Sequence, residues 1–170
     1  MLGNSHEGTT IRAAATSDVA AIAGIYNHYV TETVVTFEEE PVSVTELIRR
    51  LEEVRSAALP WLVAEADSHV VGYAYARPWN ARTAYRFSVE VTVYLAPAHA
   101  GRGIGSKLYA ELFPILEARR IHAVMGGIAL PNEASVALHE KFGLRKVAQF
   151  EEVGFKFNRW IDVGYWQLTL

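Results

Sequence analysis

Apolar residues recur along this chain with two alternating periods, near two and near 3.6 residues, the mark of strands interleaved with helices. The clearest strand is Phe87–Leu95, where apolar and polar residues alternate without a break. Thr9–Ala14 reads as a first short strand, after which Asp18 opens a helix carrying Val19, Ile22, Ile25, Tyr26 and Tyr29 at helical spacing. A loop from Thr31 to Pro41 leads to Ser43, placed to cap a second helix with the apolar stripe Leu47, Ile48, Leu51 and Val54, which ends ahead of Pro60. Trp61–Ala66 and Val70–Ala76 are strand-like and separated only by Asp67-Ser68-His69, a spacing that suits an antiparallel hairpin. A loop follows around Pro78–Arg82.

Beyond Leu95, the turn Gly101-Arg102-Gly103-Ile104-Gly105 enters a helix whose apolar positions are Ile104, Leu108, Leu112, Ile115 and Leu116. Pro114 removes one backbone donor from it and predicts a kink or local loosening. A buried strand over His122–Leu130 ends at Pro131-Asn132, Asn132 caps a helix that Gly143 stops, and Leu144–Val153 and Phe157–Leu170 are two last strands. No repeat, linker or low-complexity tract interrupts the pattern. One α/β domain over residues 1–170 is therefore expected, with residues 1–8 a disordered N-terminal segment.

Composition narrows the function classes. Of 170 residues, 51% are hydrophobic, enough for a sizeable core, and none is cysteine, which excludes disulfides, thiolate metal sites and cysteine nucleophiles. The formal net charge of −3 supplies no basic field for nucleic acid. Met1–Thr10 is polar, and no apolar run is long enough to span a bilayer. A soluble, cytoplasmic protein with small-molecule or protein partners, and without nucleic-acid or membrane partners, is expected. His6, His28, His69, His99 and His122 show no pairing at metal-ligand spacing, so no metal is expected.

The turn at Gly101–Gly105 joins a strand to a helix, so its free amides and the helix dipole converge on a point suited to an anion such as a pyrophosphate. Its G-x-G-x-G spacing is neither the G-x-G-x-x-G of a Rossmann loop nor a Walker loop, and a purely structural glycine turn is the competing reading. No G-x-S-x-G elbow is present, which removes the α/β-hydrolase reading. Glu90 lies on the polar face of its strand with Ser88, Thr92 and Tyr94, where periodicity alone reads it as a solvated carboxylate. His139 falls on nearly the same helical stripe as Asn132, while Ala134, Leu138 and Phe142 point toward the core. A lone helical histidine is ordinarily structural or solvated.

A strand followed by R-G-x-G and a helix resembles the coenzyme-A pyrophosphate loop of the GCN5-related N-acetyltransferases. The segments Thr36-Phe37, Glu40-Pro41, Pro60–Glu65, Tyr73–Ala76, Ala84-Tyr85, Leu130–Asn132, Leu138–Glu140, Gly154–Lys156 and Asp162–Trp166 are similar, in that order, to the phosphinothricin acetyltransferases, from about Ile11 to Leu170. The resemblance implies a mixed, mostly antiparallel sheet flanked by helices, splayed between the strands at Glu90 and Ile128 so that acetyl-CoA inserts there. It implies acetyl transfer from acetyl-CoA to the α-amino group of a small amino-acid analogue: phosphinothricin, methionine sulfoximine or sulfone, or arsinothricin.

By the same resemblance Glu90 is the general base, since a protonated amine has no lone pair to attack with. His139 lies near the thioester as acid, relay or orienter. Acetyl-CoA is bound by Thr92, Val93 and Tyr94, by Ala100, Gly101, Arg102, Gly103, Ile104 and Gly105, and by Asn132. A strand amide near Val93 would stabilise the oxyanion. Substrate is held by Phe37, Arg82, Tyr85 and Gly127, with Arg86 and Lys156 as further candidate cations.

Three departures stand out. Ala100 replaces a residue often Gln or Arg, and Asn80 and Gly127 stand where the phosphinothricin enzymes carry lysine and valine, which counts against phosphinothricin itself. The run Gly127–Glu133 is similar to the arsinothricin-acetylating branch. Relatives are commonly homodimers, and Trp160, Tyr165 and Trp166 are candidate interface residues. A peptide N-acetyltransferase and a non-catalytic acyl-CoA sensor are the rival readings.

Overall fold

The computed structural model describes residues 8–170, so the expected disorder of residues 1–8 falls, Gly8 apart, outside the described residues. The strands are β1 (Thr10–Ala13), β2 (Trp61–Ala66), β3 (His69–Pro78), β4 (Ser88–Leu95), β5 (Ala123–Ala129), β6 (Arg145–Lys156) and β7 (Arg159–Thr169). The helices are α1 (Val19–Glu32), α2 (Val44–Ser56), α3 (Ile104–Ala118) and α4 (Glu133–Lys141). The strands form one sheet in the order β1-β2-β3-β4-β5-β7-β6. Every neighbouring pair is antiparallel except β4 and β5, which run parallel.

Local chemistry explains most of these elements. The β2–β3 hairpin turns on two residues, Asp67 and Ser68, both at positive φ (49° and 62°), the backbone hand that matches strand twist. The Ser43 hydroxyl accepts the Glu46 N–H at 3.1 Å, and the Asn132 side chain accepts the Ser135 N–H at 3.2 Å, so both expected caps form. α1 runs two residues into the expected loop. α3 continues across Pro114. Both Pro114 and Ala110, whose carbonyl loses its partner, are exposed, so water can satisfy that oxygen.

α1 and α2 cover the sheet face that carries Tyr94, which meets Tyr26 edge-on at 5.2 Å and Tyr29 at 5.1 Å. α3 covers the other face with Leu108, Tyr109, Leu112 and Leu116, all fully buried. The Asp18 carboxylate at the start of α1 accepts two bonds from Arg12 (2.7 and 2.8 Å) and one from the Ala15 N–H (2.7 Å). The Arg12 guanidinium holds this carboxyl below its ordinary pKa, against the opposing effect of burial. Its contribution to stability is therefore present above the unfolded-state value near 3.9 and lost as pH falls through the lower folded-state value. Asp18→Asn is expected to cost about 1–3 kcal/mol at pH 7. In denaturant titrations the gap to the wild type should narrow steadily below about pH 4.

One feature of the sheet positions the site. β4 pairs with β5 only over Ser88–Ala123, Val89–Val124 and Glu90–Met125. Beyond Glu90, β4 stays paired with β3 as far as Leu95, and β5 stays paired with β7 as far as Ala129. The two halves of the sheet therefore part at Glu90, which is the expected splay.

Candidate active site

A cleft of about 1200 Å³ occupies the splay. Its walls include Glu90, Val91, Thr92, Val93 and Tyr94 from β4, Gly127, Ile128 and Ala129 from β5, and Asn132, Ser135 and His139 from the α4 end. The hydrogen bonds at the two ends of β4 fix which backbone groups face the opening. The Ala96 N–H reaches Val71 O at 2.8 Å toward β3, while Phe87 O accepts the Ala123 N–H at 3.1 Å toward β5. Alternation then turns the odd-numbered amides, those of Val91 and Val93, toward the β5 side, where pairing has already ended. The Leu95 carbonyl, of the same parity, accepts a 2.6 Å bond from the Tyr29 hydroxyl.

Glu90 sits at the vertex of the splay with its side chain 17% exposed. Its register partner across the β3–β4 ladder is Arg77, and Arg77 Nη2 donates to Glu90 Oε2 at 3.0 Å. The other oxygen, Oε1, lies 3.4 Å from where a Cβ on Gly127 would be, and Tyr165 Cε1 lies 3.1 Å from the same point. A valine there would crowd both groups. Tyr165 meets Trp79 and Phe150 edge-on at 5.5 and 5.8 Å, so an aromatic wall stands beside the carboxylate.

His139 is 3% exposed and its protonation pattern follows from its partners. Nδ1 lies 2.7 Å from the Ser135 carbonyl, which can only accept, so Nδ1 carries the proton. Nε2 is then the lone pair, 3.1 Å from the Tyr109 hydroxyl, which donates to it. Burial pushes the imidazole pKa below its ordinary value, against the Ser135 bond, and so favours this neutral form. A methyl group on Gly126 would lie 2.5 Å from the ring. The expected burial of this helix is corrected here: Ala134 is exposed, and His139 rather than Ala134 turns inward.

The glycine turn lies outside the cleft walls, past the end of β4. Gly101 and Gly103 adopt φ of 74° and 77°, in the left-handed region that favours glycine. Gly103 is the N-cap of α3 and has no side chain to cap with, so the first helical amides stay open. Ala100, Gly101, Arg102 and Gly103 are exposed. The Ile104 side chain is in the core and Gly105 packs against Leu138, so these two offer only their backbone.

Four substrate-side expectations divide. Phe37 and Gly127 line the cleft. Arg82 and Tyr85 do not: Tyr85 ends a 3-10 turn and is 40% exposed. Arg82 lines a separate depression with Arg86 and Arg119, because the chain after Pro78 carries this loop away from the opening. Lys156 is not a cleft cation either, being 2% exposed with Nζ donating to the Thr36 carbonyl at 2.8 Å. Trp166 is buried, donating Nε1–H to Glu140 at 3.1 Å, so of the candidate interface aromatics Trp160 alone is an open surface residue.

The sequence reading missed Arg77, Gly126, Tyr109 and Tyr165. The Gly126-Gly127 pair inside a strand was an available signal, since such glycines mark close approach by another group.

Residues 11–164 match the family described as Acetyltransferase (GNAT) domain. The chain is 43% identical to the phosphinothricin N-acetyltransferase of Streptomyces viridochromogenes over 92% of its own length and 85% of the relative's. It is 40% identical to the L-methionine sulfoximine/L-methionine sulfone acetyltransferase of Salmonella typhimurium, over 95% and 94%. The crystal structure of a GNAT superfamily phosphinothricin acetyltransferase from Sinorhizobium meliloti in complex with AcCoA superposes with a TM-score of 0.93 at 36% identity, covering 95% of this chain and 88% of that one. A splayed sheet with a carboxylate at its vertex, a glycine turn opening the following helix, and these likenesses lead to one conclusion: the chain belongs to the GNAT acetyltransferases, within the phosphinothricin N-acetyltransferase family.

Proposed function

We propose that the protein transfers the acetyl group of acetyl-CoA to the α-amino group of a small amino-acid analogue of the phosphinothricin, methionine sulfoximine or sulfone, or arsinothricin kind. The observation that carries this reading is the Glu90 carboxylate at the vertex of the splay, beside strand amides turned into the opening. In the reaction, Glu90 takes one proton from the substrate ammonium. The freed lone pair attacks the thioester carbonyl, and the Val93 N–H stabilises the oxyanion. Collapse breaks the C–S bond, coenzyme A leaves with the electron pair, and the second amine proton ends on its sulfur.

The turn from Ala100 to Gly105 holds the pyrophosphate, and Thr92, Tyr94 and Asn132 contact the arm of the cofactor. Phe37 and Gly127 bound the substrate, with glycine at 127 leaving room beside the base. His139 serves as an orienter, because its Nε2 has no proton to give in the tautomer that Ser135 selects.

The chain is a single N-acetyltransferase domain preceded by a short N-terminal segment, and the molecule is a homodimer. Exposed apolar residues of the β6–β7 hairpin outside the cleft, among them Phe155 and Trp160 with ring centroids 4.8 Å apart, support this, since exposed apolar surface of this kind commonly meets a partner. We place the activity in the cytoplasm, where acetyl-CoA is made, as a detoxifying acetylation that would confer herbicide resistance if phosphinothricin is a substrate. No helix among the described residues is long and apolar enough to cross a membrane.

The test is coenzyme-A release with phosphinothricin, methionine sulfoximine, methionine sulfone, arsinothricin and ordinary amino acids. Turnover is expected on at least one analogue with a tetrahedral head group, and little on glutamate. Activity confined to peptides or polyamines would replace the amino-acid reading, and acetyl-CoA binding without thiol release on any amine would replace the enzymatic one.

A further inference from the structure

We propose that Arg77 reads the α-carboxylate of the substrate, so that Arg77 and Glu90 together form a receptor for a free α-amino acid in its zwitterionic form. The inference rests on the amino-acid acetyltransferase reading above and extends it to the recognition of the substrate's charged end.

Three arginines line the cleft: Arg49, Arg50 and Arg77. Two are already committed. Arg50 holds both oxygens of Glu38 at 2.6 and 3.1 Å and Glu46 at 3.0 Å. Arg49 holds both oxygens of Glu46 and also Glu53. Arg77 makes a single hydrogen bond, from Nη2 to Glu90 Oε2, and its side chain is 56% exposed. Among the cleft arginines it therefore has the most unused donors, and it stands beside the carboxylate that receives the amine.

The spacing suits one chemical class. The ammonium and carboxylate of an α-amino acid are attached to the same carbon and lie about as far apart as two hydrogen-bonded groups. The Arg77 and Glu90 side chains present opposite charges at 3.0 Å. An α-amino acid laid across them exchanges one ion pair for two, ammonium on Glu90 and carboxylate on the spare nitrogens of Arg77. A guanidinium is suited to this because its planar fork matches a carboxylate. The cross-strand register of Arg77 and Glu90 fixes both side chains on the same face. The substrate's own side chain is then directed along the wall formed by Tyr165 and Phe150. A peptide or an amine without the adjacent carboxylate satisfies only half of the receptor.

The test compares kcat/KM for phosphinothricin, methionine sulfone and methionine sulfoximine, each against its own α-carboxamide, in the wild type, Arg77→Gln and Arg77→Lys. The wild type is expected to prefer the acid over the carboxamide by about 10- to 100-fold, the worth of a hydrogen bond to a charged group. In Arg77→Gln that ratio should fall to within about threefold of unity, chiefly through KM, and Arg77→Lys should restore part of it. Circular dichroism checks that the variants fold. Equal kcat/KM for acid and carboxamide in the wild type would overturn the proposal while leaving the acetyltransferase reading standing. So would an unchanged ratio in Arg77→Gln with kcat lowered for both partners of a pair, since that is the sign of a residue that merely holds Glu90. If the wild type turns over neither these three acids nor arsinothricin, the functional reading fails and the proposal fails with it.

Discussion

Glu90→Gln is expected to lower the maximum rate by about 10²- to 10⁴-fold, the usual worth of a positioned acid or base. Acetyl-CoA affinity should barely change. The glutamine keeps the side-chain shape and can still accept the Arg77 bond now made at 3.0 Å, so the geometry of the vertex is retained and only proton acceptance is lost. The pH dependence then separates a base from a structural carboxylate. Peptide α-amino groups titrate near 8 and that of a free amino acid, beside its own carboxylate, higher, so as the pH is raised toward 10 solvent supplies more free amine and part of the lost rate should return in the variant. Initial rates from pH 6 to pH 10 at saturating acetyl-CoA measure this. A near-normal rate for the variant at every pH would show that Glu90 is an ordinary strand residue and that the base lies elsewhere, in water or at a second side chain.

The second large effect is expected at the glycine turn. Gly103→Val should weaken acetyl-CoA binding by at least about tenfold while the fold persists. The reason is backbone rather than bulk: a Cβ at 103 would meet nothing within 4 Å, but the residue sits at φ 77° as the N-cap of α3. A β-branched residue held in that region costs about 1–3 kcal/mol, which the loop would relieve by changing φ. Any such change re-aims the open amides at the start of α3, and a helix N-terminus binds an anion only when those amides converge on it. Gly24→Ala is the control, since Gly24 lies inside α1 with open space around it and no positive φ. It should leave acetyl-CoA affinity unchanged. Calorimetric titration with acetyl-CoA and a thermal melt of each variant decide the matter, and a folded Gly103→Val protein of unaltered affinity would remove the turn from the cofactor site.

Much of this architecture could be read in the chain because it depends on local chemistry. The alternation in Phe87–Leu95 placed Glu90, Thr92 and Tyr94 on one face, and they line the cleft. Ser43 and Asn132 cap the helices they precede, since a cap is decided by the three residues that follow it. The glycine turn between a strand and a helix is where the sequence placed it, and its Gly101 and Gly103 adopt positive φ, the region that favours glycine. The splay itself was legible only through the family resemblance, because periodicity says which residues share a face and nothing of where two parallel strands stop pairing.

What tertiary structure decided has a common physical cause: partners far apart in sequence. Lys156 reads as a free cation near the end of the chain, yet it is buried on the carbonyl of Thr36, 120 residues away. By its spacing alone His139 is an ordinary structural or solvated helical histidine, whereas in the fold it is desolvated between Tyr109 and Gly126, with its tautomer fixed by the Ser135 carbonyl on Nδ1. Arg82 and Tyr85 match the family's substrate loop, but the path of that loop after Pro78 carries Arg82 to another depression. Arg77 carried no signal of its own, since its importance lies in standing opposite Glu90 in the β3–β4 ladder. Local backbone preferences and side-chain periodicity are set within a few residues and are therefore written in the sequence. Register, burial of polar groups and the aim of a loop depend on which distant segments meet, and only the folded chain determines them.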